Sequence, residues 1–513
     1  MTWAKSALTT LIFSLALVGC GGGTTTYNNQ VSVSGLAANE QVILQNNNAN
    51  PITVSANQTV TFPASWQTSK AYAVTVASQT PGVTCATSSA SGTMGTADVT
   101  VTVSCGAGTE SVLYSFAGGA GDGIRPHNLV IDSNGNLYGT TYYGGVGYTG
   151  NLTGNGTVFK LVSNGVGGYS ESVLYSFGTN GGTDGVNPLA GLIIDSSGNL
   201  YGTTMNGGTS GDGTIFKLTL NSNGNYSESV LWNFTGSNGL TGTGVTGDGA
   251  YPYAGHLIMD SNGNLYGTTK NGGTYGFGTV FKLTTDGTES VLHSFAGKDG
   301  LTGSGVTGDG ANPVEELIID NNNNLFGTTR YGGVNGNGSV FEITANGQES
   351  VLYSFGANSA TDGANPYSSL IMDTSGNLYG TTQNGGNNNK GTVFMLTKST
   401  GYTESVLYNF GTSSTTDGAN PVAGLITDTS GNLYGTTYYG GIGYTGSDTG
   451  YGIVFKLTPN NNAGYTESVL YSFGTGTDGA TPYASLITDT AGNLYGTTIN
   501  GGTNNSGTVF KIN

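Results

Sequence analysis

The segment GNLYGTT at residues 135–141 returns unchanged at 198, 263, 376, 431 and 492, and as NNLFGTT at 323. Every copy sits in the same frame. ESVLYSF, or a close variant, begins at 110, 171, 228, 289, 349, 404 and 467, and a loop with Asp-Gly and Pro follows it. Then come LIID, a turn, GNLYGTT, a Gly-Gly loop, and GTVFKL-type segments beginning at 156, 213, 278, 338, 391, 452 and 507. Each unit therefore holds four candidate strands of about 5–6 residues, the usual strand length. Solenoid repeats are shorter, whereas four strands per unit mark a propeller blade.

ESVLYSF carries apolar residues on both faces, Val112, Tyr114 and Phe116 on one and Leu113 on the other. A strand buried on both sides fits a sheet held between neighbouring sheets. The repeat region opens with ESVLYSF and closes with GTVFKI. If each blade runs LIID, LYGTT, VFKL, SVLYSF from hub to rim, the chain begins with an orphan rim strand and ends one strand short. Pairing 111–116 beside 508–512 would complete the seventh blade and remove a free sheet edge. The expected fold is all-β: a seven-bladed β-propeller over 110–513, closed by its terminal strands and preceded by a small Ig-like β-sandwich. On this reading NGN before LYGTT is a hairpin turn of the favoured Asn-Gly kind. Gly139 and its counterparts would allow close sheet approach.

Residues 27–105 lack the repeat. Alternating runs such as QVSVSGL, EQVILQN, AYAVTVAS and DVTVTVSC, broken by Asn, Gly and Pro, read as the short strands of that sandwich. Its expected job is spacing. Upstream, MTWAKSALTTLIFSLALVGC shows an early Lys, an apolar run and small residues, the secretory pattern. Leu17-Val18-Gly19-Cys20 resembles the lipobox of bacterial lipoproteins. That resemblance implies a signal peptide over 1–19, lipid on Cys20 and a flexible tether over 20–26, hence a membrane partner and delivery to the cell envelope or surface. In an exported protein the remaining cysteines, Cys85 and Cys105, are expected to form a disulfide.

The 513-residue chain has 91 Gly and 30 Tyr, and 13 Lys+Arg stand against 30 Asp+Glu. Nucleic acid binding needs clustered cations and is not expected. Most of the acidity is periodic: Glu before each SVL, Asp at the end of each LIID, Asp in each Asp-Gly loop. A residue required once per repeat is an architectural part, and Asp before a turn accepts backbone N–H bonds. DSNGN at 132–136 offers oxygens in the manner of a calcium loop, but Gly falls at the fourth place and no Glu stands at the twelfth. No metal or cofactor is therefore expected, calcium being a partial match only. His293 occupies the Tyr114 slot and reads as a packed ring, and His127 and His256 show no paired ligand spacing. No GxSxG is present.

The repeat segments GTVFKL, ESVLYSF, DG…P, LIID and GNLYGTT resemble those of the GloVer tandem-repeat proteins, a "choice-of-anchor" family. The likeness spans about four-fifths of the chain and departs only at Phe326, Glu342 and Met395. It implies no established catalytic activity and bears on fold more than on function.

Variation between repeats points to one face. The long insertions, among them YYGGVGYTGNLTGNG (142–156) and YYGGIGYTGSDTGYG (438–452), fall between blades or after LYGTT. Alternating strands bring both loop sets to the same side. Tyr142, Tyr143, Tyr148, Tyr438, Tyr439 and Tyr444 are therefore the candidate ligand-binding residues, since Tyr and Asn supply stacking area and adaptable hydrogen bonds. The alternative is that these rings pack over Gly-rich turns. The expected function is non-catalytic recognition of a glycan or an envelope protein by a monomer, for adhesion or scaffolding. The runner-up is a carbohydrate-active hydrolase or lyase, with Glu315 and Glu316 near the propeller mouth. The third reading is a purely structural surface protein.

Overall fold

A computed structural model describes residues 26–513 except 37–40, 48, 63–65, 68, 80–82, 89–90, 108–109, 166–167, 237–246, 254, 298–307, 358–360, 412–416, 447, 461–463 and 475–476. The signal segment 1–19, Cys20 and most of the tether lie outside the described residues. The fold is all-β; among the described residues the one helical element is the 3₁₀ turn Lys398–Thr400. The chain forms two compact units, one within the stretch ending at Cys105 and one over Gly106–Asn513 joined by two short segments of the earlier stretch.

The first unit holds two four-stranded sheets. One is ordered Thr59–Thr61, Asn29–Ser34, Val99–Ala107, Val83–Ser88, and the other Ala49–Val54, Val42–Asn46, Ala71–Gln79, Ser91–Thr93. Val31 lies opposite Val101 in a parallel pair. Alternate valines and leucines, including Val31, Val33, Val42, Leu44, Val101 and Val103, are buried. The Cys85–Cys105 disulfide is formed and joins two neighbouring strands of the first sheet. Closing a loop of this size stabilises a domain by about 3 kcal/mol.

In the second unit the repeats form antiparallel sheets, most of four strands and two of five. The first repeat is typical in its last three strands, Leu137–Gly144, Thr157–Ser163 and Tyr169–Ser176. Glu110–Ser115 pairs antiparallel with Thr508–Ile512, with Ser111 opposite Lys511 and Val112 opposite Phe510. The two ends of the repeat region thus share one sheet.

Two Phe per repeat build the core. The Phe of each ESVLYSF-type segment meets the Phe of the next repeat's GTVFKL edge-on, as in Phe177–Phe216 at 4.9 Å and Phe234–Phe281 at 5.2 Å. Phe473 meets Phe510, and Phe116, following the strand that completes the last sheet, meets Phe159 of the first repeat at 5.1 Å. All eight of these rings are fully buried. Each contributes roughly 1.5–3 kcal/mol by burial, and the edge-on geometry adds about 0.5–1.5 kcal/mol per pair.

Two expectations about these strands are corrected. ESVLYSF does not alternate cleanly: a bulge between Val112 and Tyr114 shifts the register, and the same bulge recurs in the later repeats. Val112 and Tyr114 now stand opposite the adjacent residues Phe510 and Val509, so they no longer share one face, and Leu113 joins Phe116 in one buried cluster. Outside the first repeat, where it lies within Gly123–Ile131, the LIID strand is also shorter than expected, only Ile193–Ile194 or Ile258–Met259, for example. Just upstream the residue before Pro has positive φ in every repeat, from Arg125 to Thr481, and Pro has no N–H to donate, so pairing there is interrupted or irregular, resuming at Pro126, Pro366 and Pro482 opposite Thr141, Thr382 and Thr498.

Candidate functional site

The first strands surround a cavity of about 530 Å³ lined by residues of every repeat, Leu129, Leu192, Ile318, Leu370, Leu425 and Leu486 among them. Its polar lining includes His256, whose Nδ1 lies 3.9 Å from Glu316 Oε2. Gly191 makes room for this ring, because a Cβ there would fall 1.9 Å from His256 Nε2.

The chain enters each first strand through the residue-Pro corner noted above. That corner is anchored to the preceding sheet: Asn187 N donates to Asn155 O, Asn312 N to Phe277 O, and Arg125 N to Ser506 O. The anchoring fixes the backbone, so the side chain after each Pro is placed without being specified. It is His127, Leu189, Tyr253, Val314, Tyr367, Val422 or Tyr483. The residue after each GTT is equally variable: Tyr142, Met205, Lys270, Arg330, Gln383, Tyr438 or Ile499.

These two positions converge. His127 stands 5.3 Å from Tyr483 and 6.5 Å from Tyr142, ring to ring. Tyr142 meets Tyr143 at 4.4 Å, Tyr438 meets Tyr439 at 4.6 Å, and Tyr438 meets Tyr483 at 6.1 Å. Tyr483 continues to Tyr367, hydroxyl to hydroxyl at 2.7 Å, and Tyr367 to Tyr253 at 6.5 Å. Cations flank this belt: Arg125 over Tyr143, Lys270 over Tyr253, and Arg330 over both Tyr331 and Tyr367 at 5.1 and 4.7 Å. Arg125 and Arg330 are the only arginines in the chain.

The belt is electrostatically unusual. Burial, reinforced by Arg125, pushes the His127 imidazole down to about 3, so it stays neutral. Burial and then the Glu316 charge raise the Glu315 carboxyl well above its ordinary range. The Tyr367 and Tyr483 phenols are raised chiefly by burial, with neighbouring phenols and Glu315 adding to it. Neutral donors and acceptors on aromatic bodies, ringed by three cations, can hold a polyhydroxylated or weakly acidic ligand by stacking and hydrogen bonds.

Of the six tyrosines expected to form a binding face, Tyr142, Tyr143, Tyr438 and Tyr439 belong to the belt and are half-buried. Tyr148 is half-buried in its own loop. Tyr444, in the loop of the sixth repeat, is only 6% exposed and so offers little surface to a ligand, contrary to expectation. The Gly-rich loops fold back on themselves here, with Tyr444 N donating to Gly441 O. Sequence reading missed Tyr253, Tyr367, Tyr483 and the flanking cations. The available signal was that the residues after Pro and after GTT differ between otherwise matching repeats.

The repeated acids are structural, as their periodicity implies. Asp132 Oδ1 accepts from the Asn134 and Asn136 amides at 2.9 Å, and Oδ2 from Asn136 Nδ2 and the Tyr138 hydroxyl. Burial opposes ionisation, and these four donors outweigh it, holding Asp132 below the usual carboxylate range. The loop aspartates tie the outer strand: Tyr175 donates to Asp184 at 2.8 Å and Trp232 to Asp248 at 3.0 Å. The sequence departures at Phe326 and Glu342 also pair: Lys160, Lys217 and Lys282 each lie over the Tyr of LYGTT across the ladder, and Phe326 faces Glu342 at that place.

A Trichoderma reesei carbohydrate-active enzyme of family AA12 is similar in structure, with 12% identity over 79% of this chain and 96% of that one and a TM-score of 0.38. So is a Trypanosoma rangeli sialidase, solved with 2,3-difluorosialic acid: 11% identity over 76% of this chain and 53% of that one, TM-score 0.37. No curated protein matches in sequence. The model of the Gloeobacter/Verrucomicrobia repeat matches residues 71–308 and 246–447, and the chain belongs to that repeat family.

Proposed function

We propose that this protein is a lipid-anchored envelope protein whose repeats close into a seven-bladed β-propeller, and whose aromatic end binds a glycan or envelope protein without turning it over. The shared terminal sheet and the Phe pairs leading from each repeat to the next, and from the last to the first, support closure. The observation carrying the binding reading is that the variable positions of an otherwise uniform repeat converge on one belt of aromatic and cationic side chains. Half-buried aromatic rings with hydroxyl and guanidinium groups beside them suit sugars.

A panel of polysaccharides and envelope proteins tests the reading. Saturable binding is expected, weakened at least about ten-fold by Tyr142→Ala or Tyr438→Ala, since Tyr truncation at an interface centre removes over about 1.4 kcal/mol. Binding indifferent to both changes would sink it, and absence of any saturable ligand would favour a purely structural role. The Cys20 anchor predicts incorporation of labelled palmitate, abolished by Cys20→Ser. A hydrolase or lyase reading draws on the His256–Glu316 pair in the central cavity. It predicts product release from a polysaccharide, lost on Glu316→Gln.

A further inference from the structure

We propose that His293, Asp309 and Glu349 form a binding site for one divalent transition-metal ion of the zinc or manganese class, where the third and fourth repeats meet. Among the described residues they are the group of three His, Cys, Asp or Glu side chains whose ligand atoms all lie within 4.8 Å of one another.

Six repeats place Tyr or Trp at this slot, and those side chains donate to the loop Asp, Tyr175, Trp232 and Tyr353 at 2.8–3.1 Å and Tyr114 at 3.4 Å. The indole N–H of Trp has no lone pair for a metal, and a protonated phenol is a poor metal ligand. The His293 imidazole has such a lone pair, and its Nε2 stands 3.3 and 3.4 Å from the two Asp309 oxygens. That separation is long for a hydrogen bond. It matches two ligands each about 2.1 Å from a tetrahedral ion, which lie about 3.4 Å apart.

The remaining pieces are already in place. Asp309 is 1% exposed, and its carboxylate is pinned by the Ala296 and Gly310 amides, both at 2.7 Å. Those bonds leave lone pairs free and fix the ligand's orientation, as outer-shell contacts do in metal sites. Phe295 packs edge-on against the His293 ring at 4.7 Å. Glu349 Oε1 is buried with no hydrogen-bond partner, as is the same oxygen in every repeat, so what sets this site apart is the imidazole of His293. Two carboxyl groups and an imidazole make a mixed donor set: the nitrogen favours zinc over calcium, the carboxyl oxygens also suit manganese, and a dication offsets their charge. Three protein ligands leave a position for water, which reaches the site because the His293 side chain is 19% exposed.

The test uses the full chain without a histidine tag, stripped with chelator and titrated calorimetrically with Zn²⁺ and with Mn²⁺. One ion per chain should bind, and bound ion should raise the Tm. His293→Tyr restores the arrangement of the sister repeats, so it should fold; it is expected to lose at least ten-fold in affinity together with the Tm shift. Glu349→Gln should weaken binding while leaving the metal-free melting curve recognisable. Co²⁺ bound by the wild type should give a tetrahedral visible spectrum absent from His293→Tyr. No binding by the wild type at millimolar metal, or equal binding by His293→Tyr, would overturn the proposal.

Discussion

A single hydrogen decides much of the packing at Gly139 and its counterparts. A Cβ on Gly267 would sit 2.6 Å from the Phe281 ring and 3.0 Å from Leu257. Gly267→Ala should therefore destabilise by about 1–3 kcal/mol through overpacking, read as a lower Tm with unchanged circular dichroism. The close approach was legible in the sequence; the ring that makes it necessary was not, because it comes from a neighbouring strand. The LIID aspartates were legible in full, since a side chain needed once per hairpin declares its role by recurrence. Asp373→Ala frees the Asn377 and Ser375 amides and the Tyr379 hydroxyl, and should cost about 1–3 kcal/mol by thermal melting. Tyr444 shows the limit at this scale: its type suits display, but the course of its loop buries it.

At the scale of the strand, the Glu that opens each ESVLYSF is half-buried against a carboxylate of the adjoining repeat. Burial and then Asp417 push Glu467 up to about 7; burial and then Asp362 do the same to Glu404, and burial and Asp122 to Glu171. Their Oε1 atoms find no hydrogen-bond partner. A folded-state value above the ordinary 4.5 means that the native state binds more protons, so the stabilisation is fully present below about pH 4.5 and is lost as pH rises through about 7. Urea denaturation should show stability falling across that window, with the slope reduced in Glu467→Gln. A slope unchanged by the substitution would mean that Glu467 ionises freely. The sequence announced that these acids are architectural; it could not say that they sit beside second carboxylates, because the partner is some fifty residues away along the chain.

At the scale of the molecule, the ends of the repeat region matter most. Ser111 and Lys511 are directly opposed in the shared sheet. Opposed antiparallel residues lie about 4.5–5.5 Å apart at Cα, within reach of a disulfide. The double substitution Ser111→Cys, Lys511→Cys should cross-link on oxidation, shown by a gel shift reversed by reductant, and should raise the Tm. Deleting 508–513 should strip the terminal sheet of the strand that holds both its neighbours, and is expected to abolish cooperative unfolding. Failure of the cysteines to join would mean that the terminal strands do not pair in solution.

The sequence by itself determined the all-β class, the repeat unit, its four strands, the disulfide pairing and the structural duty of the recurring acids. These follow from local rules, hydrophobic period, turn chemistry and repetition, which act within one unit. Only the tertiary structure decided which variable side chains meet. His127, Tyr142, Tyr438 and Tyr483 come from the two ends of the repeat region, and His293 finds Glu349 from the following repeat. Such neighbours are set by how one sheet packs on the next, an arrangement fixed by long-range burial of the Phe pairs and carried by no local pattern of residues.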